Sequence, residues 1–499
     1  MGARDAGVGR AWRAAKGGWL LGRGNGRAGR GLARWEWLCL TALLVGFVAL
    51  RLYHGGLPLV DDSDWRQTDT ASEAWFFIHD GLGLLPQLFY NGPGPNYVQL
   101  EFPFMPLTVA VLSHLFHFGS WLLHSVAVGY DTVALVFLWL FCRREFGPRA
   151  AWWVGAVFAV QPLGIFFGRA FQPEPAMLAG MTATLWAVSR WSKAGGVANY
   201  LLALGAGAFA LLAKLPAALV APALLLLAVR GRRWYDPAAW GLLLIPAVPA
   251  AAYTLWAGTV VTPGYNFITI ILQLLRQSSY HVGGISAPEF WYHYFLECCI
   301  SGAGAVPLLL GLLHPDLRRR AWFWAWGGAL VLWCVVVMRH IAFDYYLMPL
   351  LPWLALAEGV GLGQLVAWLA GSRAAQALVV AGVLLGTPLF TLRPLNELYT
   401  LDWTDYQAGV ALRAQLGPGP VILGTENPPI LFFSRHHGWR TSQLTMAELE
   451  QWMAAGARYY IPVGSLTIPS VQQYVIQHFQ RKIAGPVVYY ILSPSKASG

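Results

Sequence analysis

Asp61, Asp62, Asp64 and Asp69 crowd around Arg66 in the segment VDDSDWRQTDT. Carboxylates this close disfavour joint ionisation, so one of them can take a raised pKa, as a general base working near neutral pH requires. The plainer reading is a solvated loop whose acids have no task. Three further groups could share a reaction with these acids. The turn GRAFQPEP, residues 168 to 175, carries Arg169 and Glu174. A guanidinium there can hold a phosphate bidentately with Glu174 orienting it, or the two can form a helix-end ion pair. Lys214, followed by Leu215-Pro216, interrupts a long apolar region. Its ammonium either snorkels to headgroups or offers a point charge to a lipid phosphate. The segment RHIAFDYY brings Arg339, His340, Asp344, Tyr345 and Tyr346, which read as a phosphate contact or as an aromatic belt with an anchoring arginine. Cations and carboxylates at one interface suit a lipid-linked phosphate leaving group and a carboxylate base.

The elements that must position these groups are set by composition. The chain is 57% hydrophobic with 12% charged residues, and its mean hydropathy is +0.49, which describes an integral membrane protein and not a soluble domain. About eleven apolar segments are long enough to read as helical spans: 35–53, 126–142, 151–167, 175–191, 198–213, 215–230, 238–257, 301–314, 321–338, 345–367 and 375–390. The formal charge of +10 does not point to nucleic acid, because the basic residues fall in an N-terminal tail (1–34) and in alternate loops. Those loops carry Arg143/Arg144/Arg149, Arg190/Lys193, Arg230/Arg232/Arg233, Arg318/Arg319/Arg320 and Arg373. The positive-inside rule makes them cytoplasmic, with the N-terminus inside and the chain after residue 390 outside. A cleaved secretory signal is not expected, because the Gly/Arg-rich tail before Trp35 is long and no small-residue cleavage pattern follows the first apolar run.

This topology leaves two long outside loops, about 54–125 and 258–300, within a transmembrane domain of residues 35–390. The first contains the acids, a helical stretch at 70–79, the turn NGPGPN, Glu101-Phe102-Pro103 and a juxtamembrane helix at 106–123. The second contains an amphipathic stretch at 267–280 and an aromatic run around Trp291. Residues 391–499 alternate short strands (421–425, 430–434, 458–464, 487–493) with helices (406–416, 446–455, 471–481), the pattern of a small extracytoplasmic α/β domain. There is no Walker or dinucleotide fingerprint. Cys298/Cys299 lack zinc or thioredoxin spacing, and His79, His281 and His293 lack ligand spacing. Carboxylates on two loops could still hold a divalent ion through oxygen ligands.

The order of these motifs resembles the GT-C fold of membrane glycosyltransferases. It is similar in particular to the family of protein O-mannosyltransferases and the lipid A aminoarabinose transferase, glycosyltransferase family 39. The features that carry the resemblance are the acidic motif after the first span, a proline-flanked helix after EFP, the Arg169 to Glu174 turn, Lys214 between two spans, and His340 with Tyr345, Tyr346 and Pro349. DWRQTDTA, EFP and a later SRHHGW (434–439) resemble a bacterial subgroup of it. The resemblance implies transfer of a sugar from a polyprenyl-phosphate donor to a lipid, glycan or protein acceptor outside the bacterial cytoplasmic membrane, with inversion. It further implies a base from Asp62 or its neighbours Asp61, Asp64 and Asp69, and phosphate contacts from Arg169, Lys214 and Arg339 or His340. Arg66, Glu101, Glu174, Tyr345 and Tyr346 would support them. Partners would be membrane lipids and the lipid-linked donor, with no nucleic acid. Two departures stand out. The family's acidic motif is often Asp-Glu, and where the aminoarabinose transferase has a lysine before its proline pair this chain has Glu101. A transporter or flippase of a lipid-linked sugar is the rival class, although it would show paired halves with broken helices. A non-catalytic subunit is the third reading, and predicts that the loop acids are replaceable.

Overall fold

The computed structural model describes residues 34–261, 288, 290–340, 343–425, 428–463 and 468–492. The basic tail before Arg34, the amphipathic stretch 267–280 and His281 lie outside the described residues. The chain falls into two compact units. The first comprises Met1–Tyr53, Ala127–Tyr253 and Leu272–Glu397, and the second His54–Val126, Thr254–Ile271 and Leu398–Gly499. The long loop that holds the acids therefore folds in the same unit as the C-terminal domain.

A helix or an interrupted helix stands at each of the apolar segments read from the sequence. Among the described residues four of them, Ser120–Phe146, Pro237–Val260, Ala321–Met338 and Asp344–Trp368, are by length and composition able to cross a membrane. A fifth span results if Phe290–Ile300 and Ala303–Leu313, bent by 87°, count together. Val197–Ala213, Leu215–Ala228 and Arg373–Leu384 are apolar but shorter. Proline and glycine set the breaks. Gly147, at φ 91°, ends one helix and Pro148 starts the next, while Pro162 separates Pro148–Val160 from Pro162–Phe167 at the extended Gln161. Glycines also let backbones approach: a Cβ on Gly361 would overlap the Pro307 carbonyl, and one on Gly180 would overlap Ala210.

In the second unit the juxtamembrane helix expected at 106–123 is two pieces. Phe104–Leu112 ends where the Ser113 hydroxyl donates to the Ala110 carbonyl at 2.6 Å, and a new helix starts at Ser120, with the Gly119 carbonyl accepting from Leu122 and Leu123. The acidic helix also starts earlier than expected, running Asp64–His79.

The C-terminal part of this unit holds, among the described residues, a five-stranded sheet of β1 Val421–Leu423, β2 Gly438–Arg440, β3 Tyr459–Ile461, β4 Gln480–Ala484 and β5 Val487–Ile491, in the order β2-β1-β3-β5-β4. The β1 pairings are parallel and the others antiparallel. Ile422, Leu449, Tyr460, Val471 and Val475 are core residues here. Two expectations are corrected. Residues 430–434 form a helix, Pro429–Ser434, instead of a strand: Pro429 opens its first turn and every residue in it is buried, so the apolar run has no period to read. The helix expected to reach 481 stops at His478, and Gln480–Ala484 turns back on β5 through a two-residue hairpin with Gly485 at φ 53°.

Gly438 binds this sheet to the first loop. Its amide donates to the Phe89 carbonyl and its carbonyl accepts from Gly92, both at 2.9 Å, on the flank away from β1. A Cβ at this position would overlap the Val421 carbonyl, so glycine is required. The preceding residues of SRHHGW pack on the acidic helix. His437 lies 5.2 Å from the Phe76 ring and 5.6 Å from Phe89, and Arg435 stacks at 4.1 Å on Phe432 and 5.7 Å from Trp75.

Candidate active site

The four candidate aspartates, all in the second unit, occupy different environments. Asp61 is buried and accepts from the Gln67 amide at 2.7 Å; the same amide reaches the Asp62 carbonyl at 3.1 Å. Asp64 heads the helix and accepts from the Trp65 amide at 2.6 Å, where a carboxylate also suits the helix dipole. Asp62 is exposed and accepts from the Ser63 hydroxyl at 2.8 Å; Ser63 itself adopts a left-handed φ of 57°. Desolvation by surrounding chain pushes the Asp62 carboxyl up, Ser63 opposes it, and the Asp61 charge adds to the rise. Since Asp62 opens to water, solvent screens that shift.

Asp69 and Glu73 lie one helical turn apart and are buried with Arg66 nearby. Arg66 donates to both Glu101 oxygens at 2.9 Å. Burial drives Glu73 well above the usual carboxylate range, with Arg66 opposing and Glu101 and Asp69 reinforcing. The Tyr90 hydroxyl donates to Asp69 at 2.7 Å, and Arg440 of β2 stacks at 4.4 Å on the Tyr90 ring. Burial pushes Asp69 up to about 6, while Tyr90, Arg66 and Arg440 pull it down.

The sign of the pH dependence follows from that balance. With a folded-state pKa above the usual 3.8, Asp69 takes up a proton on folding between those values, so stability falls as pH rises from about 4 to about 6 and is flat above. Tyr90→Phe removes a donor to the ionised form and raises the pKa further. The expected cost is about 2 kcal/mol above about pH 7 and clearly less below about pH 5. Thermal unfolding of the detergent-solubilised protein across pH reads this directly; an equal cost at both ends would overturn the charge assigned to Asp69.

In the first unit the break at Lys214 separates Val197–Ala213 from the short 3-10 turn Leu215–Val220, with Lys214 extended at φ −168°. Its ammonium pairs with Glu174, the first residue of the helix Glu174–Ala194. It also lies 5.3 Å from the Tyr345 ring centre and 5.0 Å from that of Tyr346. Tyr345 stacks on Phe343, and the Tyr346 carbonyl accepts from Trp333 at 2.7 Å, which fixes the aromatic floor under the lysine. Thus Lys214, Glu174, Tyr345 and Tyr346, well separated in sequence, form one cluster. Glu174 is the partner of Lys214. Arg169 is buried 5.0 Å from the Phe166 ring, and Phe167, at the end of the helix before it, packs 5.8 Å from Tyr345. Arg339 and His340 close the helix Ala321–His340, and their side chains lie outside the described residues.

Two buried groups of this unit escape the sequence reading. Arg51 pairs with Asp131 at 2.5 Å and donates to the Ala159 carbonyl at 3.0 Å, its guanidinium 3.4 Å over Phe47. A Cβ on Gly168, beside Arg169, would overlap Asp131. Glu358 is buried in Leu351–Trp368 against Gly304. The readable signal for both is an acid inside an apolar run. Among the described residues no group of three or more His, Cys, Asp or Glu is placed to hold a metal ion.

Solved structures match this architecture. ArnT from Cupriavidus metallidurans bound to undecaprenyl phosphate is 15% identical, with a TM-score of 0.59 over 92% of this chain and 98% of that one. The Archaeoglobus fulgidus oligosaccharyltransferase tethered with an acceptor peptide is 14% identical, TM-score 0.56, over 86% of this chain and 69% of its own. The oligosaccharyltransferase AglB of the same organism, in complex with an inhibitory peptide and a dolichol-phosphate, gives 14% and 0.55 over the same shares. The chain has the helical GT-C fold of membrane glycosyltransferases. Residues 101–256 match the family model for dolichyl-phosphate-mannose-protein mannosyltransferase. No curated protein sequence matches the chain.

Proposed function

We propose that the chain is an inverting glycosyltransferase that moves a sugar from a polyprenyl-phosphate donor to a lipid, glycan or protein acceptor on the outer face of a bacterial cytoplasmic membrane. The basic loops are then inside and the C-terminal domain outside. The observation that carries this reading is the Lys214 ammonium held on tyrosine rings at a helix break within a GT-C fold. The likeness to structures that contain undecaprenyl phosphate and dolichol-phosphate supports a donor of that chemical class.

In this reaction the acceptor hydroxyl gives its proton to a carboxylate as its oxygen bonds the anomeric carbon. The bond from that carbon to the phosphate oxygen breaks on the opposite face, and polyprenyl phosphate leaves. A phosphate leaving group needs little acid assistance and gains from cationic groups. Lys214 and Arg169 are assigned to the phosphate, and Arg339 or His340 is assigned to it as well. Among the four aspartates Asp62 is the exposed one, and it is assigned the base; Asp69 is the alternative. Asp61, Asp64, Arg66 and Glu101 shape the acidic helix and its start.

The test is transfer from labelled polyprenyl-phosphate sugars by the purified protein in detergent, where transport is impossible. Asp62→Asn is expected to cut the rate by about 10²–10⁴. Undiminished transfer after Asp61, Asp62, Asp64 and Asp69 are all changed to Asn would sink the base assignment, and no transfer by the wild type would favour a transporter.

A further inference from the structure

The first unit carries a second assembly of charge that this reaction does not use. Glu145, in the last turn of Ser120–Phe146, is a carboxylate with 1% side-chain exposure. It receives Lys193 at 2.8 Å, Arg230 at 2.9 Å and Arg320 at 3.0 Å, along with the Ser189 hydroxyl at 2.5 Å. Arg320 also donates to the Glu145 carbonyl at 3.0 Å, and Arg144 donates to the carbonyls of Ser189 and Arg190. Lys193, Arg230 and Arg320 come from three basic loops that the sequence presents as separate, and one buried acid gathers them.

Glu145 and the Asp316 charge near Arg320 do not balance Lys193, Arg230, Arg320 and the adjoining Arg144. Glu145 is hidden while the cations are open: their side chains are 35%, 36% and 22% exposed for Lys193, Arg230 and Arg320. The result is a fixed ring of donors with surplus positive charge turned outward, which a tetrahedral phosphate can bridge. The loop after Arg230 adds exposed Trp234 and Tyr235, and the Trp240 indole holds the Trp234 carbonyl at 3.0 Å. Aromatic residues of this kind sit at headgroup level. We propose that the Glu145-centred ring binds the phosphate of an anionic phospholipid headgroup. Its position at the ends of apolar helices and its aromatic border favour a lipid over a soluble anion.

The full-length protein in phosphatidylcholine nanodiscs doped with phosphatidylglycerol or cardiolipin, read by native mass spectrometry, tests this. The protein should retain the anionic lipids over phosphatidylcholine, and Lys193→Gln and Arg230→Gln should each lower retention about fivefold. Arg481→Gln/Lys482→Gln, exposed on β4, should leave it unchanged. Glu145→Gln separates binding from a purely structural ion cluster, because removal of the competing acid should raise retention even as it lowers the melting temperature. Equal retention of all lipids, loss of retention to inorganic phosphate alone, or a Glu145→Gln protein that melts lower with unchanged retention would overturn the proposal. Should Arg230→Gln fail to fold, Lys193→Gln carries the test. None of these readouts involves sugar transfer, so the proposal stands or falls apart from the reaction above.

Discussion

Lys214→Gln should lower transfer from a polyprenyl-phosphate sugar by about 10²–10³, the effect of removing one preorganised charge from a site where negative charge develops. The ammonium is well suited to that task because it is already desolvated, with 6% of its side chain exposed, and stands on two tyrosine rings. Its carboxylate partner complicates the substitution. Glu174 has 1% side-chain exposure, and without the lysine it would remain as an unbalanced buried acid, which destabilises the fold on its own account. The double variant Lys214→Gln/Glu174→Gln removes both charges and should recover most of the lost melting temperature while transfer stays low. Donor affinity, measured by titrating a labelled polyprenyl phosphate, should fall in both variants. If the double variant regains transfer along with stability, Lys214 is structural and the phosphate contact lies elsewhere.

The second large effect is expected at Asp131. Asp131→Leu leaves the Arg51 guanidinium, fully buried beside Phe47, without its carboxylate. Breaking a buried pair from one side costs about 3–5 kcal/mol, whereas replacing both members by apolar residues is often neutral or better. Arg51→Met/Asp131→Leu should therefore melt close to the wild type while each single variant melts far below it, a coupling that thermal unfolding of the four proteins measures as a double-mutant cycle. Independent single effects would mean that Arg51 draws its stability from the Ala159 carbonyl and the Phe47 ring. The pair sits against Gly168, next to Arg169. A double variant that folds yet loses transfer would thus indicate that the pair sets the geometry of the Arg169 turn.

Several elements of this site can be read from the chain, and the reason is physical. Lys214 and Glu174 each mark the end of an apolar segment, where a charge is costly enough to stand out in sequence, and Tyr345 and Tyr346 open the apolar segment 345–367. Pairing does not show in the same way. Arg51 and Asp131 lie in different apolar runs, and nothing in either run indicates the other, so only the packed helices reveal them as one group. The basic loops are also visible singly, but Glu145 looks like an ordinary loop acid until Lys193, Arg230 and Arg320 are seen around it.

The acids show a different limit. In sequence Asp61, Asp62, Asp64 and Asp69 are equivalent; their environments separate only once the helix is known to start at Asp64, which turns Asp69 and Glu73 inward and leaves Asp62 in the turn. That start lies earlier than apolar periodicity suggests, because the first turn is polar. In the C-terminal domain the run ILFFS illustrates the same weakness in apolar form. Buried on every side, it has no alternation to distinguish strand from helix, and Pro429 decides for helix.

Gly438 links residues made at very different times. The loop at Phe89 and Gly92 emerges early, but its hydrogen-bonding partner follows only after a further stretch of synthesis lasting roughly 20–70 s at ordinary elongation rates. The apolar helices are inserted in the meantime, and the acidic helix waits without His437 and Arg435 behind its aromatic face. A chain released short of Gly438 would hold its place in the membrane with Asp61 and Asp69 still bound to Gln67 and Tyr90 but with the aromatic face of the acidic helix uncovered. The face of the acidic helix that meets His437 and Arg435 is therefore the last to be covered, once the C-terminal domain has been made.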